Sequence, residues 1–349
     1  MEIMVDYIKL DFNSRVPKYL QLIDAIIHNI YLGNVKIGDK VPSINKLSEE
    51  FYLSRNTVER AFKELKKQNV LASYPGKGTF VAQNQLKTSY KIFFLVNKLS
   101  PFKMEIYNSF VKNLGENYNV DLHSYHCDES LFLDLIEKGK SNYDYFVVFP
   151  HFRTKNLQHT NITELANNAL NSLPKDKLIL LDNKDHTIEN ALSEVYQEYE
   201  NDIISSLEKG SDKLSKYTNL TLVYPTSTFY PYPSKIKTGF IKYCAKYKFD
   251  FKVIEEVNTD TEIVENTLYI TIEEEDLVNL VHKVRESNFT LGKNVGLISY
   301  NDTSLKQLLG ISVLTTNFKK MGKKTAKLII EGKRAKIKIP FKLITRESI

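Results

Sequence analysis

The chain has no tryptophan and only two cysteines, Cys127 and Cys244, in 349 residues. A disulfide framework is thereby excluded, and a reducing cytoplasm is the expected compartment. No apolar run approaches the roughly 20 residues that span a bilayer. Met1-Glu2-Ile3-Met4-Val5-Asp6 has neither the basic nor the apolar region of a secretion signal. No membrane partner is expected, and the Asn-x-Ser/Thr tripeptides carry no meaning as glycan acceptors. Gly-x-Ser-x-Gly, Gly-x-x-x-x-Gly-Lys and Gly-x-Gly-x-x-Gly are all missing. Without a nucleophile elbow, a phosphate loop or a dinucleotide fingerprint, no catalytic residue and no cofactor are expected. His123-Ser124-Tyr125-His126-Cys127-Asp128 has ligand types but not ligand geometry. A strand would turn His123 and His126 to opposite faces, and no second cluster accompanies them, so no metal is expected.

What is present is an ordinary globular composition, 42% hydrophobic and 26% charged, which suffices for a sizeable core in two or three domains. Net charge is +6, which permits a polyanionic partner without demanding one. Its distribution says more. Between Arg55 and Lys77, the cations Arg55, Arg60, Lys63, Lys66, Lys67 and Lys77 face only Glu59 and Glu64, a local excess suited to phosphate.

The first 82 residues read as helix, helix, helix, hairpin. Leu20, Ile23, Ile26, Ile27 and Ile30 recur at helical spacing over Tyr19 to Leu32, and Gly33 ends the run. Pro42-Ser43 opens a second helix with Ser43 as N-cap, and Ser54 caps a third. In the third, Val58, Ala61, Phe62 and Leu65 share one face, while Asn56, Arg60, Lys63 and Lys67 share the other. Val70-Leu71 and Thr79-Phe80-Val81 then flank the basic tip Tyr74-Pro75-Gly76-Lys77-Gly78. Two short helices, the second with a polar outer face, make a helix-turn-helix whose second helix enters the major groove at its N-terminus, followed by a wing. Arg55 suits a guanine edge or a phosphate, Asn56 suits adenine, and Thr57 suits a thymine methyl or a phosphate. The helix N-terminus adds phosphate affinity. Gly76 and Gly78 let the wing backbone approach closely.

Val41-Pro42-Ser43, Leu47-Ser48, Leu53-Ser54-Arg55-Asn56-Thr57-Val58, Ala61, Leu65 and Gly76-Lys77-Gly78-Thr79-Phe80-Val81 together resemble the GntR-type winged helix over about residues 17 to 82. The resemblance implies DNA contacts from Ser43, Arg55, Asn56, Thr57 and Gly76. Asn45, Lys46, Ser54, Arg60, Lys63 and Lys77 complete the candidate face. Asn45 and Glu59 stand where some members have arginine, which bears on the operator sequence rather than the fold.

Ala82 to Ser89 is polar and non-periodic, which divides the chain into residues 1–82, a linker at 83–89 and a body at 90–349. In the body, apolar runs at Ile92–Val96, Tyr145–Phe149, Leu178–Leu181, Leu220–Tyr224, Leu268–Ile272 and Val295–Ser299 alternate with helical stretches such as Glu105–Gly115 and Leu277–Ser287. That alternation indicates parallel sheet covered on both faces, in one large domain or two lobes. Asp144 to Pro150, Val295 to Thr303, Leu314-Thr315-Thr316 with Gly322, and Pro340 to Ser348 resemble, in order, motifs of the lactose/galactose repressor family. The fold class expected is therefore a winged helix-turn-helix (α+β) followed by an α/β two-lobed periplasmic-binding-protein-like domain. Such a head on such a body is the plan of some arabinose- and fucose-type sugar regulators.

The resemblance implies a small-molecule effector held between the lobes, beyond the carboxyl ends of the strands. Carried over position by position, the candidates are Phe102, Lys103, Phe229, Lys235, Glu273, Glu274, Asn301, Asp302 and Phe318. Asp302 would accept from polyol hydroxyls and Phe102 would offer an apolar face to a ring. Each has a blander role open to it. Phe318 is a core residue, Asn301 and Asp302 are turn formers, and Glu273-Glu274 begins a helix whose dipole favours them. Ile236 stands where sugar binders often have arginine, and no tryptophan is available to stack on a sugar. The implied protein is a cytoplasmic transcription regulator, a repressor. It binds palindromic double-stranded operator DNA as a homodimer, because one winged helix reads one half-site. Two alternatives remain. One is a regulator gated by a protein partner. The other is a GntR-headed enzyme of the aminotransferase type, whose longer body and pyridoxal-binding lysine have no counterpart in this sequence.

Overall fold

The computed structural model describes residues 7–12, 14, 16–82, 90–160, 162–174, 176–182, 193–226 and 228–349. Contacts divide the chain into two compact units, Met1–Ser89 and Tyr90–Ile349. The expected linker at 83–89 lies outside the described residues.

In the first unit, α1 is Lys18–Tyr31, α2 is Ile44–Glu50 and α3 is Arg55–Lys67. The apolar face of α1 is Leu22, Ile23, Ile26, Ile27 and Ile30, all buried, while Leu20 is exposed. Leu20 falls at the margin of this stripe and is left partly in solvent. Ser43 and Ser54 accept from the amides of Lys46 and Thr57, both at 3.2 Å, and so begin α2 and α3. On α3, Val58, Ala61, Phe62 and Leu65 are buried against α1 and α2. Strands β1 (Leu71–Tyr74) and β2 (Gly78–Val81) form the antiparallel wing. Val41 amide donates to Thr79 O at 2.8 Å, adding the Lys40–Val41 stretch to its edge. Gly76 and Gly78 have φ of 71° and 111°, so the wing tip needs glycine for its own turn.

The second unit has two lobes, each built on a six-stranded sheet. Lobe 1 pairs β3 (Tyr90–Val96), β4 (Tyr118–Ser124), β5 (Tyr145–Val148), β8 (Leu178–Leu181), β9 (Ser193–Tyr196) and β15 (Lys336–Lys338), all in parallel. A short hairpin, β6 (Phe152–Arg153) with β7 (His159–Thr160), precedes β8. Lobe 2 pairs β10 (Asn219–Val223), β11 (Asp250–Ile254), β12 (Thr267–Thr271), β13 (Val295–Tyr300) and β14 (Ser312–Thr316) in parallel, and β16 (Phe341–Ile344) antiparallel at one edge. All the expected apolar runs are strands. Their central position in the sheets leaves both faces covered, which is why they read as unbroken hydrophobic runs.

The chain crosses between lobes at Gln197–Glu198, Thr316–Asn317 and Ile339–Pro340. Ile339 amide donates to Tyr196 O at 2.8 Å, and Asn317 amide to Pro340 O at 3.3 Å. These bonds tie the crossings side by side. After the second crossing, α12 (Phe318–Glu331) returns to lobe 1 and packs along α4 (Pro101–Leu114).

Candidate functional site

Two faces follow from these elements, one in each unit. In the first unit, Ser43, Asn45, Lys46, Ser54, Arg55, Asn56, Arg60, Lys63, Gly76 and Lys77 are exposed, and Thr57 is half-buried. The buried stripe of α3 fixes the opposite side, so its polar first turn faces outward. Arg55 Nε lies 2.8 Å from Glu59 Oε1, one turn away. Arg60 is committed differently. Its guanidinium lies 3.8 Å over the Tyr19 ring and donates to Tyr19 OH at 3.0 Å. That stack orients Arg60 along α1, where a cation–π contact holds it in place.

In the second unit, a cavity of about 320 Å³ lies between the lobes at the carboxyl ends of their strands. Among the candidates, it brings together Phe102, Lys103, Glu273, Glu274, Asn301 and Phe318. Three others lie elsewhere. Lys235 and Ile236 are neighbours on the first turn of α9 (Ser234–Tyr247). The helix turns Ile236 into the cavity and leaves Lys235 exposed. Phe229 is 52% exposed, and its ring is covered by the Arg153 guanidinium at 3.7 Å. Asp302 is spent on structure: Arg346 Nη2 donates to it at 2.7 Å and Gln307 Nε2 at 3.0 Å. It faces a separate hollow with Thr316 and Lys342.

The floor of the cavity is a buried polar chain of which only Lys103 was among the sequence candidates. Lys103 Nζ donates to Asp182 Oδ2 at 2.8 Å, and Gln197 Nε2 donates to Asp182 Oδ1. Gln197 Oε1 in turn accepts from Thr316 Oγ1 at 2.5 Å, linking the floor to the crossings. His151 Nε2 sits 3.2 Å from Asp182 Oδ2, off the line of a hydrogen bond, and its Nδ1 is 3.0 Å from His159 Nε2. A lone pair on His151 Nε2 would face a carboxylate, so the favoured arrangement puts the proton there. His159 Nε2–H then donates to His151 Nδ1. Lys103 also lies 3.7 Å from the Phe149 ring centroid.

Burial opposes the charge of Asp182, but Lys103 and His151 outweigh it and hold the carboxyl well below the usual carboxylate range. Burial lowers Lys103, with Asp182 opposing the fall. Burial also pushes His159 down to about 3, and His151 beside it adds to the shift. Asp182 and Asn301, with φ of 75° and 62°, hold left-handed conformations at strand ends on the two walls. At Asn301 the buried Lys306 ammonium donates to the carbonyls of Tyr300 and Asn301 at 2.9 and 3.1 Å, which fixes that strand end.

The signal for the missed residues was present. Asp182 follows the run Leu178–Leu181 directly, and His151 follows Phe149-Pro150, so both sit where strand ends point. The lobes also meet beside the cavity. His126 Nδ1 is 2.9 Å from Tyr230 OH, Arg153 Nη1 donates to Phe229 O at 3.2 Å, and Lys98 Nζ lies 4.7 Å from the Tyr232 ring centroid. His126 has a φ of 51° and lies outside β4, turned toward lobe 2. Among the described residues, no group of three or more His, Cys, Asp or Glu side chains is arranged to hold a metal ion. The cavity offers donors, acceptors and aromatic faces, which is equipment for binding.

The histidine pair gives the body a pH dependence with a definite sign. His159 ionises near 6.5 when unfolded and about 3 when folded, so between those values only the unfolded chain takes the proton. Stability therefore falls as pH falls through that window, by about 2 kcal/mol from this residue between pH 7 and pH 5. Urea denaturation at the two pH values should show the loss, and His159→Gln should remove about that much of it.

The architecture is that of a winged helix-turn-helix joined to a two-lobed α/β binding body. The model of the bacterial regulatory proteins of the gntR family matches residues 18–81. The same region is similar to the HTH-type transcriptional repressor YtrA of Bacillus subtilis (strain 168), 33% identical over 81 residues, 23% of this chain and 62% of that protein. It is also similar to the arabinose metabolism transcriptional repressor of Geobacillus stearothermophilus, 40% identical over 72 residues, 21% of this chain and 20% of that protein. The chain thus covers less than two thirds of either relative. The body is similar in fold to a LacI family transcriptional regulator from Arthrobacter sp. FB24 in complex with lactose, with a TM-score of 0.56 over 74% of this chain and 99% of that one at 13% identity. Residues 18–81 are a gntR-type helix-turn-helix domain, and the body has the periplasmic-binding-protein-like fold of LacI-type regulators.

Proposed function

We propose that this chain is a transcription regulator, a repressor, that binds operator DNA through α3 and the wing and responds to a sugar-like small molecule in the inter-lobe cavity. The observation that carries the DNA reading is the exposed first turn of α3: Arg55 and Asn56 lie open beside the Ser54 cap, on a helix whose other face is locked in the core. The names of the relatives support it, as does the expected compartment, the cytoplasm. Among the described residues no helix is long and apolar enough to cross a membrane. A palindromic operator and a homodimer follow from the half-site that one winged helix covers.

The effector reading rests on the cavity's position at the strand ends and on its chemistry. Phe102 and Phe318, with ring centroids 5.4 Å apart, offer apolar faces. Lys103, Glu273, Glu274, Asn97 and Asn301 offer the hydrogen bonds that a polyol needs. The arabinose repressor and the lactose complex point to the same class. An effector shifts DNA binding only by preferring one arrangement of the lobes over another.

The test begins with a duplex selected by the full chain from a random pool. Arg55→Ala should bind it about tenfold more weakly in a mobility shift while unfolding like wild type, because it removes a base-edge or phosphate contact. Unchanged affinity would refute the role of α3. Lys63→Ala should weaken binding to every sequence alike and shallow the salt dependence by about one unit of slope.

A further inference from the structure

The turn between α2 and α3 carries an unexplained expense. Tyr52 is 91% exposed, and its φ is 48°. That is the region where glycine sits without cost and a bulky side chain crowds its own backbone. The turn is held from several sides. Phe51 amide donates to Leu47 O at 3.2 Å, and Tyr52 amide to Glu49 O at 3.4 Å. Leu53 is buried, its amide donates to Ser48 O at 3.0 Å, and Ser48 Oγ donates to Leu53 O at 2.5 Å. Strain persists where its surroundings over-determine it, and these bonds do so without any help from the Tyr52 side chain. Glycine would satisfy the same backbone. The ring therefore neither builds the turn nor fills the core, and at 91% exposure it gains little from the described residues.

Its position says what the ring is for. Tyr52 lies two residues before the Ser54 cap and three before Arg55, so its Cα is within about 7 Å of chain from the cap. If the first turn of α3 occupies the major groove, the residue just outside it faces the groove wall, which is sugar and phosphate. We infer that the Tyr52 hydroxyl donates a hydrogen bond to a backbone phosphate at the groove edge, fixing how deeply α3 sits without reading a base. The inference rests on the regulator reading of α3. A phenol is neutral and displaces no condensed counterion, which separates this contact from those of Arg55 and Lys63.

The experiment uses the full chain with Tyr52→Gly and Tyr52→Phe, the selected duplex and a random-sequence duplex of equal length. Tyr52→Gly relieves the backbone, so its melting temperature should equal or exceed that of wild type. It should nevertheless bind both duplexes about tenfold more weakly, with an unchanged slope against salt. Tyr52→Phe should keep the melting temperature and show most of the same loss. Wild-type affinity in Tyr52→Gly would overturn the contact. So would a fall in melting temperature that parallels the fall in affinity, since the ring would then be structural. Wild-type affinity in Tyr52→Phe would overturn the role of the hydroxyl, and a loss confined to the selected duplex would overturn the phosphate assignment. If wild type selects no duplex at all, the regulator reading fails with it, which is a different result from any variant matching wild type.

Discussion

Asp182→Ala should destabilise the body by about 3–5 kcal/mol, because it leaves the Lys103 ammonium buried without its counter-charge. Each side chain of the pair is 10% exposed, and the Phe149 ring centroid lies 3.7 Å from the Lys103 ammonium. Gln197 would lose its acceptor at the same time, and the bond from Thr316 that depends on Gln197's orientation would loosen. The loss should appear in the unfolding transition of Tyr90–Ile349, not in that of the first unit. Lys103→Met combined with Asp182→Leu should recover much of it, since apolar replacement of a buried pair is often neutral or better. That double variant should fold and fail to respond to any effector. If Asp182→Ala cost under about 1 kcal/mol, the pair would be solvated in solution, and the floor of the cavity would be softer than its geometry indicates.

How much of this was legible in the sequence depends on whether a residue acts locally or at long range. The caps Ser43 and Ser54, the buried stripe of α3 and the wing tip are local features, and their spacing announces them. The apolar runs that became central strands announce themselves for a related reason: covering on both faces leaves no polar alternation to obscure them. Of the strands not foreseen, β9 and β14 are buried inside their sheets but carry polar residues (Ser193, Glu194, Ser312, Thr315, Thr316), and the edge strands lack that coverage. Tyr118–Ser124 alternates between exposed and half-buried, and Asp250–Ile254 is exposed over most of its length. The cavity floor is harder still. Lys103 and Asp182 are 79 positions apart, and Gln197 and Thr316 are 119 apart. Lys103 and Asp182 meet within lobe 1, at the start of α4 and the end of β8, and the crossings bring Gln197 to Thr316. Position-by-position resemblance named Lys103 and Asn301, which line the cavity, and also Lys235 and Asp302, which lie outside it. A helix start turns one neighbour in and the next out, and Arg346, near the chain's end, captures the carboxylate that looked free.

Gly322→Ala should cost about 3 kcal/mol, the upper end of ordinary overpacking, because its obstacle is backbone. A Cβ at Gly322 would lie 2.3 Å from Ile106 O and 2.8 Å from Phe110 N, both on the facing helix α4. A flexible side chain could step aside, but a helix backbone cannot. Ser109 Oγ donates to Lys319 O at 2.7 Å across the same interface, so the helices are also tied where they would have to part. Gly139→Ala is the control. Its Cβ would meet Phe146 at an ordinary 3.5 Å, and it should be neutral or slightly stabilising. The consequence reaches the cavity, because α4 and α12 carry Phe102 and Phe318 at their first turns. Pushing the helices apart should slide that ring pair open. Hydrogen exchange should therefore rise along both helices in Gly322→Ala and remain at the wild-type level in Gly139→Ala. Equal stability and exchange in the two variants would mean that α12 can shift along α4 freely, and that the ring pair is not held by the packing beneath it.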